Sequence, residues 1–403
     1  MISVQARARA IIAEYPPQVR LVLVQSMLFG LALNIADLLF NFYLVSLGYA
    51  ADTAGLMSTV NRSAGMLFGL PLGMLIDRIG ARRSLITGLS GFAAGWVVLL
   101  MVQSLMAMIL AQFAIGVAFT LTMVSVGPLL AAVTSDERRA TAFSTNASAI
   151  LVVGFFGSML AGILPTITGA WLDVDPRDSA AYGLALGAVV LLALAAILPV
   201  LKLDPVTNTE VVAATSVGNA LKPVHVGRYL RFAVVSFLLG FGGGAILPFQ
   251  NLFFRQQFGL GDAAVGAILA TTALAMGLGA LLGAPISRKF GLQAAATWLR
   301  WGTVPAVLLM LVPLPAVAVL AFFARGLFMA ASFPLYDALI MQATPERQRG
   351  FAFSMLNVFW SSGWALAAFI AGFAQIAWGF GPVFLAAALC YGLSAIAIAK
   401  LRF

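Results

Sequence analysis

Apolar stretches of about 20 to 30 residues alternate with short polar breaks along the whole chain, and each is long enough for a helix to cross a hydrocarbon core. Twelve such stretches are present, at 18–46, 53–76, 84–104, 105–131, 141–168, 180–201, 229–256, 263–286, 292–312, 315–343, 350–376 and 380–400. The pattern predicts an all-α integral membrane protein with twelve transmembrane helices. Residues 202–228 (KLDPVTNTEVVAATSVGNALKPVHVGR) form the longest polar stretch, with Pro205, Gly218 and Pro223 as helix breakers. They divide the chain into an N-terminal six-helix half at 1–201 and a C-terminal six-helix half at 229–403. The start, with Arg7, Arg9, Glu14 and Arg20, leads into a first helix too long for a cleaved signal segment, so an uncleaved anchor is expected.

The two halves repeat each other at an offset of about 210 residues. From Ala111 to Ser144, ten of 34 positions are identical to Ala321 to Ser354, where composition alone gives roughly three. The same offset carries Gly30 to Gly240, Asn41 to Asn251, Gly69 to Gly279, Gly73 to Gly283, Arg78 to Arg288 and Gly162 to Gly372. Both copies run in the same direction, so the repeat is parallel, and a cavity between similar halves is transporter architecture. Small residues at Gly65, Gly69 and Gly73 in the second helix, and at Ala275, Gly279 and Gly283 in the eighth, predict close helix approach, across the interface between halves. Gly240, Gly242, Gly243, Gly244 and Pro248 predict a bent or locally open seventh helix.

Composition removes other classes. With 62% hydrophobic and 9% charged residues and a mean hydropathy of +1.02, the chain cannot cover a water-facing surface. The net charge of +9 is placed asymmetrically: 18 of 23 Lys/Arg fall in the termini or in alternate loops on one side, which puts both termini in the cytoplasm of a cell (inner) membrane. A nucleic-acid surface is therefore not expected. Cys390 is the one cysteine and His225 the one histidine, which excludes a disulfide framework and a multi-cysteine metal site. No phosphate-binding GK[ST] loop, HExxH or GxSxG occurs, so neither direct ATP use through such a loop nor an enzyme is expected, and no cofactor is implied. Asp173, Asp175 and Asp178 lack the spacing of a calcium loop and read as a solvated acidic turn.

Five membrane-embedded charges stand where the repeat fails: Asp37 against Leu247, Arg62 against Thr272, Arg300 against Ser90, Arg325 against Ile115 and Asp337 against Gly127. A charge in the hydrocarbon region is costly unless paired or hydrated, so function is the default reading. Counting along the helices puts Asp37 and Arg62 both roughly 14 Å deep, within pairing reach, and Arg325 at a similar depth in the other half. Asp37 and Asp337 are candidates for proton coupling. Arg62 and Arg325 are candidates for substrate contact, and a permanent structural Asp37–Arg62 pair stays open. Arg300, between Trp298 and Trp301, is expected to snorkel to the interface. Asn34, Asn41, Gln250, Asn251, Asn357, Trp360 and Trp364 are polar or aromatic groups that can complete a site, although the Asn41/Asn251 match also suits helix packing.

The segment Gly73-Met-Leu-Ile-Asp77-Arg78-Ile-Gly80-Ala81-Arg82-Arg83-Ser-Leu85 resembles the loop signature of the major facilitator superfamily between its second and third helices. A degenerate second copy runs from Gly283 to Gly291, with Ser287 in place of the acid and the glycine one residue late. The loops with Asp136-Glu-Arg-Arg139 and Pro345-Glu-Arg-Gln-Arg349 also resemble the family's. The resemblance implies two parallel six-helix halves, a cavity lined by helices one, four, seven and ten, and a cytoplasmic latch formed by Gly73, Asp77, Arg78, Gly80, Arg82 and Arg139. It implies a monomeric, proton-coupled secondary transporter of a small organic solute, first as an exporter of drugs or metabolites. Helix five lacks the GPxxGG ending of many drug exporters, which counts against export, and the excess of Arg62 and Arg325 over the one midplane acid, Asp37, makes an importer or uniporter of an organic anion the rival. A non-transporting receptor or scaffold is the alternative of another class.

Overall fold

The computed structural model describes residues 15–102, 104–204, 226–345 and 349–401. Most of the expected linker, 205–225, lies outside the described residues, as do Arg7, Arg9, Glu14, His225 and Arg347. The described residues form twelve helical units: α1 (Pro17–Ser46), α2 (Ala51–Ile79), α3 (Ala81–Met101), α4 (Leu105–Ala132), α5 (Asp136–Leu172), α6 (Ser179–Ala195 continued by Ile197–Leu201), α7 (Val226–Ile246, then Leu247–Phe249 and Gln250–Phe258), α8 (Asp262–Phe290), α9 (Leu292–Leu309), α10 (Pro315–Ala343), α11 (Arg349–Trp378) and α12 (Phe380–Ala399). Inside a bilayer the backbone must satisfy its own hydrogen bonds, and helices do so. Ten of the units are long and apolar enough to cross a membrane. The two that fall short, α2 and α9, carry Asn61 with Arg62 and Arg300 in mid-helix.

Helix α5 begins earlier than its apolar run predicts, with Glu137 in its first turn, where negative charge suits the helix dipole. The turn from α2 to α3 pivots on Gly80 (φ 87°, ψ 148°), and that from α8 to α9 on Gly291 (φ 83°, ψ 154°). A positive φ costs glycine least, so the late glycine of the degenerate loop still occupies the pivot. Asp178 caps α6 by accepting a bond from the Ala180 N–H at 2.8 Å, and Asp175 accepts one from Arg177 N–H at 2.7 Å.

The small-residue stripes do not all face the interface between halves. Gly65 meets Thr120 of α4, and Gly279 and Gly283 lie against the Leu327 and Ala331 carbonyls of α10, each contact within its own half. The glycines of α7 are also packing positions rather than a break. Gly240 and Gly244 leave no room for a Cβ beside the Trp360 and Trp364 carbonyls of α11. The interruption comes at Pro248, where three residues turn as a 3-10 segment because proline has no N–H to give.

Among the described residues, contacts between the halves run from the face opposite the basic loops to mid-membrane. On α2 and α11, Gly55 lies against Ala368 and Gly372, Thr59 Oγ1 donates to the Ala365 carbonyl at 2.8 Å, and Ser362 Oγ reaches Met66 Sδ at 3.0 Å. On α5 and α8, Gly162 lies against Asp262, Ala263 and Gly266, and Gly154 faces Ala273. Beyond these, toward the basic face, Gly69 and Gly73 have no neighbour within 4 Å of a Cβ position. Among the described residues the halves are thus joined at one face, and the stretch of α2 around Gly69 and Gly73 stands clear of the opposite half at the other.

Candidate functional site

A cavity of about 330 Å³ lies where the joined part of the halves ends. Its walls come from α1, α2, α3, α4, α7 and α11. Asp37, Asn41, Arg62 and Gln250 line it, together with Ser58, Asn61, Gln112, Trp96, Phe92 and Trp364. Asp37 is exposed to it and Arg62 half-buried.

Asp37 and Arg62 do not form the ion pair that equal depth suggests. The two share the cavity without an N···O approach within 4 Å, because Arg62 turns toward α11. Its guanidinium lies 4.6 Å from the Trp364 ring centroid and 5.3 Å from that of Trp360, a cation–π contact with two adjoining rings of the other half. Trp364 Nε1 in turn donates to Ser58 Oγ at 3.3 Å.

Toward the joined face the cavity is closed by a symmetric clamp. Asn41 Nδ2 donates to Asn251 Oδ1 at 2.9 Å and to the Pro248 carbonyl, while Asn251 Nδ2 donates to the Leu38 carbonyl at 2.7 Å. Under the 210-residue offset Asn41 maps to Asn251 and Leu38 to Pro248, so one bond is the mirror of the other. Further out, the Tyr182 hydroxyl donates to Asp262 Oδ2 at 2.6 Å and accepts from Arg255 Nη1 at 2.7 Å. Arg255 also pairs with Asp262 at 3.4 Å and lies 4.5 Å from the Phe42 ring centroid. This cluster ties α6 and α1 to α7 and α8. The one-sided count of Lys/Arg gives Arg255 no role of its own.

Other expected site residues lie elsewhere. Arg325 is 3% exposed and donates through Nη2 to the Tyr391 hydroxyl at 2.8 Å, inside the C-terminal half. Arg300 does not snorkel: it is fully buried, donates through Nε to Ser332 Oγ at 3.2 Å and lies over Phe333. Its neighbours Trp298 and Trp301 take the exposed positions instead. Asn34 donates to the Gly30 carbonyl at 2.8 Å and accepts from Ser158 at 3.4 Å, which fixes it on α5. Asp337 and Asn357 are exposed and do not line the cavity. Among the latch candidates, Asp77 and Arg78 are exposed, and Asp77 has no hydrogen-bond or ion-pair partner among the described residues. Arg82 donates to the Val200 and Leu201 carbonyls at 3.0 and 2.8 Å, capping the end of α6 in its own half. Arg139 is exposed and donates to the Ala131 carbonyl at 3.5 Å.

Asn61, Gln112 and Trp96 are cavity residues that the search for charges passes over. Each also breaks the repeat, against Thr271, Phe322 and Ala306. The rule that finds Asp37 and Arg62 finds them once it is extended to neutral polar groups.

The sequence profile of the Major Facilitator Superfamily matches twice, over residues 22–234 and 232–403. The chain belongs to the Major Facilitator Superfamily. A search of curated protein sequences returns no match. Among solved structures, the nucleoside transporter NupG is similar at 15% identity and a TM-score of 0.73, over 96% of this chain and 100% of that one. A bacterial homologue of the iron transporter ferroportin, inward-facing, is similar at 16% identity and 0.73, over 95% and 99%. A bacterial homolog of the human lysosomal transporter Spinster, inward-facing and unoccupied, gives 16% and 0.70, over 95% and 94%. Identities this low carry the fold alone. That fold is one of secondary transport of small solutes, and this superfamily member shares it across nearly its whole length.

Proposed function

We propose that the chain is a secondary transporter that moves a small organic solute by alternating access, with the solute held between Asp37 and Arg62. The observation that carries this reading is a mid-membrane cavity with two unpaired opposite charges, closed toward one face by contacts between the halves and parted toward the other. With the basic face in the cytoplasm, this is the inward-open state, in which an exporter loads and an importer releases. The unpartnered Asp77 suits the same state: its latch would form when the basic face closes, bringing Gly73 against the opposite half. Asp37 accepts no protein hydrogen bond through its carboxylate, so its proton occupancy can follow what the cavity holds, which supports proton coupling there.

The test is accumulation in proteoliposomes with an imposed pH gradient, using a panel of cationic, anionic and zwitterionic solutes. Uptake against a concentration gradient that collapses with a protonophore is expected. Binding of a solute without accumulation under any gradient would instead assign a receptor or scaffold.

A further inference from the structure

The polar groups around the cavity lack protein partners on both sides of the hydrogen-bond ledger. Among the acceptors, the Asp37 carboxylate receives no bond, and Gln112 Oε1 and Gln250 Oε1 are buried without a donor. Among the donors, Arg62 makes ring contacts only, and Trp96 Nε1 is buried without an acceptor. Buried polar atoms in folded proteins are nearly always paired. Three of the buried atoms without a protein partner, and two opposite charges without a direct contact, gather around this one cavity, as in a site completed by its ligand.

The chemistry of that ligand follows by elimination. A simple anion would meet Arg62 and Trp96 but would be repelled by Asp37 and leave the amide oxygens unmet. A simple cation would meet Asp37 and leave Arg62 uncompensated. A neutral amphiphile would leave both charged groups without a direct charge-assisted contact. Resting on the transporter reading, we propose that the solute is a compact zwitterion of the amino-carboxylate class. Its ammonium group would be taken by Asp37 with the Gln112 and Gln250 oxygens, and its carboxylate by the planar fork of Arg62. At about 330 Å³ the cavity stands at the small end of ligand sites, roughly 300–1,000 Å³. One small molecule therefore spans it, with an apolar body against Trp96 and Phe92.

Binding to the purified full chain, followed by tryptophan fluorescence, tests this with matched probes. These are leucine and phenylalanine, the amines 3-methylbutylamine and phenethylamine, and the acids 4-methylpentanoate and 3-phenylpropanoate. Each amino acid is expected to bind at least about tenfold more tightly than its amine or its acid, since each loses one charge-assisted contact. Asp37→Asn should erase the preference over the acid, and Arg62→Gln the preference over the amine. Should either fail to fold, Asp37→Glu and Arg62→Lys take its place and should weaken the same preference. Equal binding of an amine or an acid, or no binding of any probe, overturns the zwitterion. Zwitterion binding without accumulation in proteoliposomes overturns the transporter reading and leaves the ligand class standing. Preferred accumulation of an amine or acid does the reverse.

Discussion

Arg62 in α2 and Arg325 in α10 are both mid-helix arginines at positions where the internal repeat fails, yet the two halves treat them differently. In the N-terminal half the guanidinium faces a cavity, lies on two tryptophan rings of the opposite half and donates no hydrogen bond to the protein. In the C-terminal half it is folded away against Tyr391, with which it makes both a hydrogen bond and a ring contact. Arg300 is likewise folded into its own half, with Nε on Ser332 and the guanidinium over Phe333, although its two terminal nitrogens are buried without a protein partner. Breaking the repeat thus marks a residue as special to its half without saying for what. The deciding observation is whether its polar atoms meet the cavity or a partner within the same half. On that criterion the N-terminal half carries the chemistry, and the C-terminal half contributes Trp364, Trp360 and Gln250.

The largest effect expected from this contrast is in transport. Asp37→Asn and Arg62→Gln should each lower transport of the solute about 30- to 100-fold, the loss of one charge-assisted contact of about 2–3 kcal/mol. Both should melt near the parent temperature, because the two make no direct contact and the charge that remains faces the cavity. The double variant should remain inactive. Restored transport and stability in the double variant would mean that the two residues work as a structural pair, against the separation seen in the cavity.

In the C-terminal half the order reverses. Arg325→Met should lower stability by about 1–3 kcal/mol, since the Tyr391 hydroxyl loses its charged partner inside the protein. Transport per folded molecule should change little. Thermal melting in detergent and initial uptake rates, normalised to folded protein, separate the two effects. Lost uptake at unchanged stability would bring Arg325 back into solute contact and erase the distinction between halves.

Much of this arrangement is legible in the sequence, and the illegible part has one physical cause. Apolar length and the one-sided placement of arginine define the helices and their grouping, because a bilayer imposes those rules on any chain. Asp37 and Arg62 are legible as candidates because a charge at that depth needs a reason. What the sequence lacks is helix rotation. Depth counting places Arg62 level with Asp37, but it does not say that Arg62 turns onto Trp364. Flanking tryptophans predict that Arg300 reaches the interface, but the rotation of α9 exposes Trp298 and Trp301 and buries the arginine instead. The glycines of α7 show the same limit. They read as a weak point, whereas their missing side chains admit the α11 backbone and the actual interruption needs only Pro248.

The smallest effect comes from the one place where the halves do the same thing. Asn41 and Asn251 each donate to a carbonyl of the other half, at positions related by the repeat, and to or from each other. Losing either amide removes hydrogen bonds that exist only while this face is closed, at a net cost of about 1 kcal/mol. Asn41→Ala and Asn251→Ala should therefore shift the equilibrium toward opening of this face by similar amounts, about fivefold each. Spin-label distances between the α1–α2 and α7–α8 loops would report the shift. The double variant should show less than the sum of the two, because the residues share a bond. Equal single effects identify a closing device without solute specificity. A larger loss of solute binding in Asn41→Ala than in Asn251→Ala, at equal distance shifts, would show that the N-terminal half has recruited its copy of the clamp for the cavity, as it has recruited Asp37 and Arg62.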